Sequence, residues 1–221
     1  MKHWWKILGV FLLIYTVIFG FFGDVPRLPV LHETIRNLYF HVTMWFAMIT
    51  LLCISLYHSF RVLGKYSLFA DVISSAAVHV ALLFGILGLI TGSIWAKFTW
   101  GAWWTNDPQL NGAAITLLAY LAYAILRNSI EDQEKKARIS AVYNIFAFVM
   151  MVVFIGIIPK FTNVDSLHPG KGGNPGFNTY DLDAHLRFVF YPAIVGWILL
   201  GLWILQLRKR YLHLTNFMQC D

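Results

Sequence analysis

Six uninterrupted apolar runs dominate this sequence, at residues 5–22, 39–57, 72–95, 110–126, 139–158 and 188–207. Each is roughly 17–24 residues long, which at a helical rise of about 1.5 Å per residue matches a hydrocarbon core about 30 Å thick. Inside hydrocarbon the backbone must satisfy its own hydrogen bonds, and runs this long are not the short alternating strands of a barrel. They are helices. Composition agrees: 58% of residues are apolar and 13% charged, about half the roughly 25% charge of a soluble domain. These figures exclude a disordered chain, a collagen-like fibre and a disulfide scaffold. No repeat, low-complexity tract or second domain interrupts the pattern. The expectation is an all-α membrane protein, with a single six-helix membrane domain over residues 1–221.

The net charge of +6 does not point to nucleic acid, because the cations sit in short clusters between apolar runs, as membrane flanks do. One set of flanks carries Lys2 and Lys6, Arg61 and Lys65, then Arg127, Lys135, Lys136 and Arg138, then Arg208, Lys209 and Arg210. The opposite set carries Arg27 and Arg36, then Lys97, then Lys160, Lys171 and Arg187. The richer side is expected to be cytoplasmic, with both termini inside. The first run follows a basic head without a small-x-small cleavage site, so it reads as a retained span rather than a signal peptide. The stretch RNSIEDQEKKAR in the fourth connection reads as a solvated helical turn. Cys53 and Cys220 form no CxxC or CxxCH pattern, which excludes a dithiol redox site and covalent c-type haem attachment.

The unusual residues fall in the outer connections. The segment at about 95–111 holds Trp95, Trp100, Trp103 and Trp104. An interfacial aromatic belt accounts for Trp95 and, less well, is the alternative reading for the other three. Spacing of i, i+3, i+4 would set Trp100, Trp103 and Trp104 on one face of a short interfacial helix. Such a face would be a platform for a planar apolar ligand. Asp107 followed by Pro108 is a helix-start signal, with Asp107 as N-cap. The outer loop at about 160–187 contains four glycines and two prolines, and long irregular connections are often functional.

Of eight histidines, His3, His58 and His213 flank the membrane on the inner side, and His79 lies within the third run, as a neutral hydrogen-bonded group or a functional one. His32, His41, His168 and His185 are on the outer side. An outer pair drawn from different parts of the chain could hold a metal from opposite faces. Haem needs axial ligands, an aromatic enclosure and polar or cationic partners for its propionates. The outer side offers all three, with Lys97, Lys160, Lys171, Arg187, Arg27 and Arg36 as candidate cations. Zinc is less natural, since no HxxxH or Cys/His cluster occurs.

LITGSIWAKFTWGAWWTNDPQLNG resembles the tryptophan-rich WWD segment of the cytochrome c assembly proteins. The six-span size, with NLYFHV before the motif and DSLHPG after it, is similar to the CcmC type, whose larger relatives are the CcsA/ResC and CcmF types. The resemblance implies that His41 and His168 are axial ligands of a non-covalent, bis-histidine haem b. It places Trp100, Gly101, Trp103, Trp104 and Asp107 around the macrocycle at the outer, periplasmic face of the inner membrane. It also implies delivery of haem to a haem chaperone, alongside ABC-type transporter subunits, with no catalysis. The chain departs from the family pattern at Asn106, where an aromatic is usual, and at Gln109, where the CcmC type usually has Arg.

Two filled axial positions leave no open site for oxygen chemistry, and ligands at a span end and on a glycine-rich loop suit release of a cargo better than catalysis. Two other readings remain open from the residues alone. One is a b-type haem electron-transfer subunit, which would favour buried histidines such as His79. The other is a cofactor-free transporter permease.

Overall fold

The computed structural model describes residues 3–26, 31–161, 168 and 182–218, without the side chains of 161, 213 and 215–218. Most of the expected 160–187 loop therefore lies outside the described residues, as do Lys2, Arg27, Lys171 and Cys220.

The chain forms α1 (Trp4–Phe22), a 3-10 turn (His32–Asn37), α2 (Leu38–Gly64), α3 (Leu68–Trp100), α4 (Pro108–Asn128) and α5 (Gln133–Met151). α5 continues through a π-helical stretch (Val152–Ile157) into α6 (Ile158–Phe161), and α7 (Ala184–Met218) follows. Six helical rods are long and apolar enough to cross a membrane, α5 and α6 counting as one. The six-helix expectation holds. α3, at 33 residues, is much longer than the run that announced it.

Helix boundaries follow local chemistry. Ser67 caps α3 by accepting the amide of Ala70, and Asp132 caps α5 by accepting the amide of Lys135 at 2.7 Å. The fourth connection is largely helical and solvent-exposed, as its sequence implies. The chain leaves helix only briefly around residues 129–132, and Lys135, Lys136 and Arg138 ride on the first turns of α5. Arg138 pairs with Glu134 one turn back at 2.8 Å, the i, i+4 geometry that supports an exposed helix.

α2 is central, packing on α3, α5 and α7, while α1 lies along α7. Glycines permit the α1–α7 approach: a β-carbon on Gly9 would stand 3.1 Å from Leu199 Cβ, and one on Gly196 would stand 3.2 Å from Leu12 Cβ. Away from α7, α1 exposes Ile7, Phe11 and Phe22, as a lipid-facing helix does. The interior of α2, α3 and α5 also carries a polar knot. Asn144 donates to Ser55 and Ser59 at 2.8 Å each, and both serines bond to Ser74. Hydrogen bonds between helices replace those that hydrocarbon cannot supply.

Cross-helix contacts fix which ends lie together. His41 meets Gly92, Ser55 meets Ser74, Gly85 meets Leu117, Asp71 meets Arg127 and Gly112 meets Phe154. Successive helices from α2 to α5 are thus antiparallel. The starts of α2 and α4 share one end of the bundle with the finish of α3 and of the α5–α6 rod. That end carries the tryptophan segment; the opposite end carries Arg61, Lys65, Arg127 and Arg208.

Candidate functional site

His41 sits in the first turns of α2 with its ring against α3. Its Nδ1 lies 2.9 Å from the carbonyl oxygen of Gly88 and 3.4 Å from the hydroxyl of Thr91. That hydroxyl itself donates to the Leu87 and Gly88 carbonyls. Carbonyl oxygens only accept, so Nδ1 carries the proton and the ring presents its lone pair at Nε2. The ring is set edge-on to Trp95 at 5.8 Å and to Trp45 at 6.3 Å. Trp95 is held in turn by donating to Thr34 Oγ1 at 2.9 Å.

Two glycines make room for this arrangement. A β-carbon on Gly92 would fall 2.5 Å from His41 Cε1, and one on Gly88 would fall 3.0 Å from the indole of Trp45. His41 and Trp45 are one turn apart on α2, facing Gly88 and Gly92 one turn apart on α3. Bulk on one helix meets absence of bulk on the other.

At the far side of the segment, Asp107 is 2% exposed and does two things at once. Its Oδ1 accepts the amides of Gln109 at 2.8 Å and Leu110 at 3.3 Å, capping α4 with Pro108 at the first helical position. The same Oδ1 lies 3.1 Å from Nδ1 of His168. The His168 ring also stands edge-on to Trp100, 5.1 Å between centroids. His41, Trp100, Asp107 and His168 therefore share one end of the bundle.

The tryptophans do not share one helical face, which corrects the short-helix expectation. Trp100 is the last residue of α3; Gly101 then adopts a left-handed conformation with φ of +80°, and residues 101–107 are irregular. A left-handed residue ends a helix, and glycine takes that conformation without steric cost. Lys97 donates to the Gly101 carbonyl at 2.9 Å and fastens the turn. Beyond it, Trp103 and Trp104 are 58% and 41% exposed. Trp104 donates to Asn111 at 3.3 Å, and Asn111 donates to Asn106 at 2.8 Å. Asn106, a departure from the family pattern, thus has a structural task.

The candidate cations divide. Arg36 pairs with Glu33 at 2.7 Å and donates to the carbonyls of Gly20 and Gly23, so it clamps the end of α1. Arg187 donates to the Leu182 carbonyl at 2.9 Å. Lys160 is exposed at the end of the α5–α6 rod. His79 belongs to the other end, its Nδ1 2.8 Å from the Ser75 carbonyl in its own helix. His32, at φ of 44°, opens the 3-10 turn, and His185 is exposed in the first turn of α7. Among the described residues, no group of three or more His, Cys, Asp or Glu could hold a metal ion.

The model of the family described as CcmC, heme exporter protein C, matches residues 1–214. A heme exporter protein C of Rhodobacter capsulatus is 27% identical over 94% of this chain and 84% of its own length. One of Paracoccus denitrificans is 31% identical over 62% of this chain and 56% of its own, so that match spans little more than half of that relative. A cytochrome c biogenesis protein CcsA of Prochlorococcus marinus subsp. pastoris is 37% identical over 39% of this chain and 27% of its own. With nearly its whole length matched, the chain belongs to the CcmC, heme exporter protein C, family.

Proposed function

We propose that this protein holds haem as cargo at the tryptophan end of its bundle and passes it to a haem chaperone in cytochrome c maturation. His41 and His168 are the axial ligands, and Trp100, Gly101, Trp103, Trp104 and Asp107 form the surround. Membership of the heme exporter protein C family supports a role in haem handling rather than enzyme catalysis.

The observation that carries the ligand assignment is that each imidazole has its Nδ1 against an oxygen, Gly88 O for His41 and Asp107 Oδ1 for His168. Ligating histidines use this outer-shell bond to fix the tautomer, orient the ring and raise the basicity of the coordinating nitrogen. The residues fit a porphyrin in other ways. Two exposed indoles, Trp103 and Trp104, offer apolar area to a macrocycle. A glycine at 101 keeps the turn between them and Trp100 free of side-chain bulk.

The two ligands differ in mounting, which suits loading and release. His41 is built into a helix and braced by α3. His168 is braced by Asp107 at the head of α4 and by the edge of Trp100. Haem b bound non-covalently by both would be low-spin and closed to oxygen. The chaperone, ABC-type transporter subunits and the periplasmic face of the inner membrane belong to the same proposal.

The test is the absorption spectrum of purified, haem-loaded protein beside His41→Ala and His168→Ala. Loss or displacement of the bis-histidine bands in each variant is expected. An unchanged Soret spectrum in both removes the ligand assignment, and a protein that never takes up haem removes the function.

A further inference from the structure

At the end of the bundle opposite the tryptophans, α3 and α7 enclose a groove of about 500 Å³ lined by His79, Val80, Leu83, Ile204, Leu207, Arg208 and Tyr211. Its two halves differ. Val80, Leu83, Ile204 and Leu207 make an aliphatic wall, with Leu83 and Leu207 open towards the lipid side at 44% and 50% exposure. His79, Arg208 and Tyr211 make a polar head.

The polar head carries uncompensated positive charge. Arg127, near His79, is neutralised by a two-pronged bond to Asp71 at 2.6 and 2.8 Å. Arg208 has no carboxylate partner among the described residues. His79 has Nδ1 committed to the Ser75 carbonyl. Lys209 and Arg210 follow directly, and Arg61 and Lys65 end α2 at the same level of the bundle.

We infer that this groove binds one anionic phospholipid, with the phosphate on Arg208 and Tyr211 and an acyl chain along Val80, Leu83, Ile204 and Leu207. A guanidinium matches phosphate geometry, and basic pockets between transmembrane helices take anionic head groups. The wall is aliphatic and has no indole, unlike the tryptophan end, so it suits a flexible chain better than a porphyrin plane.

The experiment is native mass spectrometry of the delipidated full-length protein titrated with phosphatidylglycerol, phosphatidylcholine or haem. Phosphatidylglycerol should be retained about fivefold over phosphatidylcholine, the factor expected for one cation at a membrane surface. The preference should vanish in Arg208→Gln, persist in part in Arg208→Lys and stay unchanged in His41→Ala. Size-exclusion profiles establish that each variant is folded, and Tyr211→Phe, which keeps the ring, provides a second and milder variant that should lower retention. Equal retention of both lipids, or a preference indifferent to residue 208, overturns the inference. So does haem binding that is lost in Arg208→Gln but kept in His41→Ala, which would assign the groove to a porphyrin instead.

Discussion

The ring of His41 occupies the space that a side chain on Gly92 would need: a β-carbon there would lie 2.5 Å from Cε1 and 3.0 Å from Nδ1. Both atoms belong to a ring pinned between helices, so it has little room to retreat. Gly92→Ala is expected to push His41 off the Gly88 carbonyl at a cost of about 1–3 kcal/mol, the range for overpacking a filled interior. Haem uptake, read from Soret absorbance per mole of purified protein, should drop sharply while the protein remains monodisperse. Full uptake would show that the His41 ring position is immaterial.

Asp107 separates two roles by substitution. Asp107→Asn keeps an oxygen that can cap α4, so thermal stability should change by less than about 0.5 kcal/mol. It loses the charge facing His168, and with His168 as the proposed ligand haem affinity should fall about tenfold, the loss typical of an outer-shell partner. Asp107→Ala should lose both, with about 1 kcal/mol of cap stability added to the affinity defect. Melting curves and haem titration on the two variants distinguish these effects.

Asp71 and Arg127 form a nearly buried ion pair, 5% and 11% exposed. Removing one partner strands the other charge, so Asp71→Leu or Arg127→Met alone is expected to destabilise by about 3–5 kcal/mol. The double variant should recover most of the loss, because an apolar pair of similar volume is often no worse. Unfolding titrations in detergent measure all three.

Gly112, buried in α4, faces the backbone of Phe154 in the π-helical stretch, and a β-carbon there would lie 2.9 Å from the Phe154 carbonyl carbon. Backbone cannot swing aside as a side chain can. Gly112→Ala should therefore separate α4 from the α5–α6 rod and destabilise by about 1–3 kcal/mol. An unchanged melting temperature would mean that the π-helical stretch yields freely.

The spans were legible because hydrocarbon imposes one rule on every residue of a long run, and the cap at Asp107 because Asp-Pro before an apolar run has one common use. Spacing of i, i+3, i+4 presumes a helix, whereas Gly101 turns the chain between Trp100 and Trp103, so these indoles do not stand on one helical face. Gly88 and Gly92 were passed over because a glycine in an apolar run carries no signal of its own. Their meaning lies in His41 and Trp45, some 50 residues earlier and at the same four-residue spacing. Arg36 looked like a ligand for carboxylates until Glu33 and the α1 carbonyls claimed it, a pairing fixed by tertiary position alone.

α3, with 33 residues, measures about 50 Å at 1.5 Å per residue. A membrane offers only about 30 Å of hydrocarbon, and an ordinary tilt of about 20° absorbs just a few ångströms of the excess. The excess must lie outside the oily layer, at one end of the helix or shared between the two. Length to spare at the Trp100 end would serve the proposed haem cargo as a pier, where a carrier arriving through water could moor without wading into the bilayer.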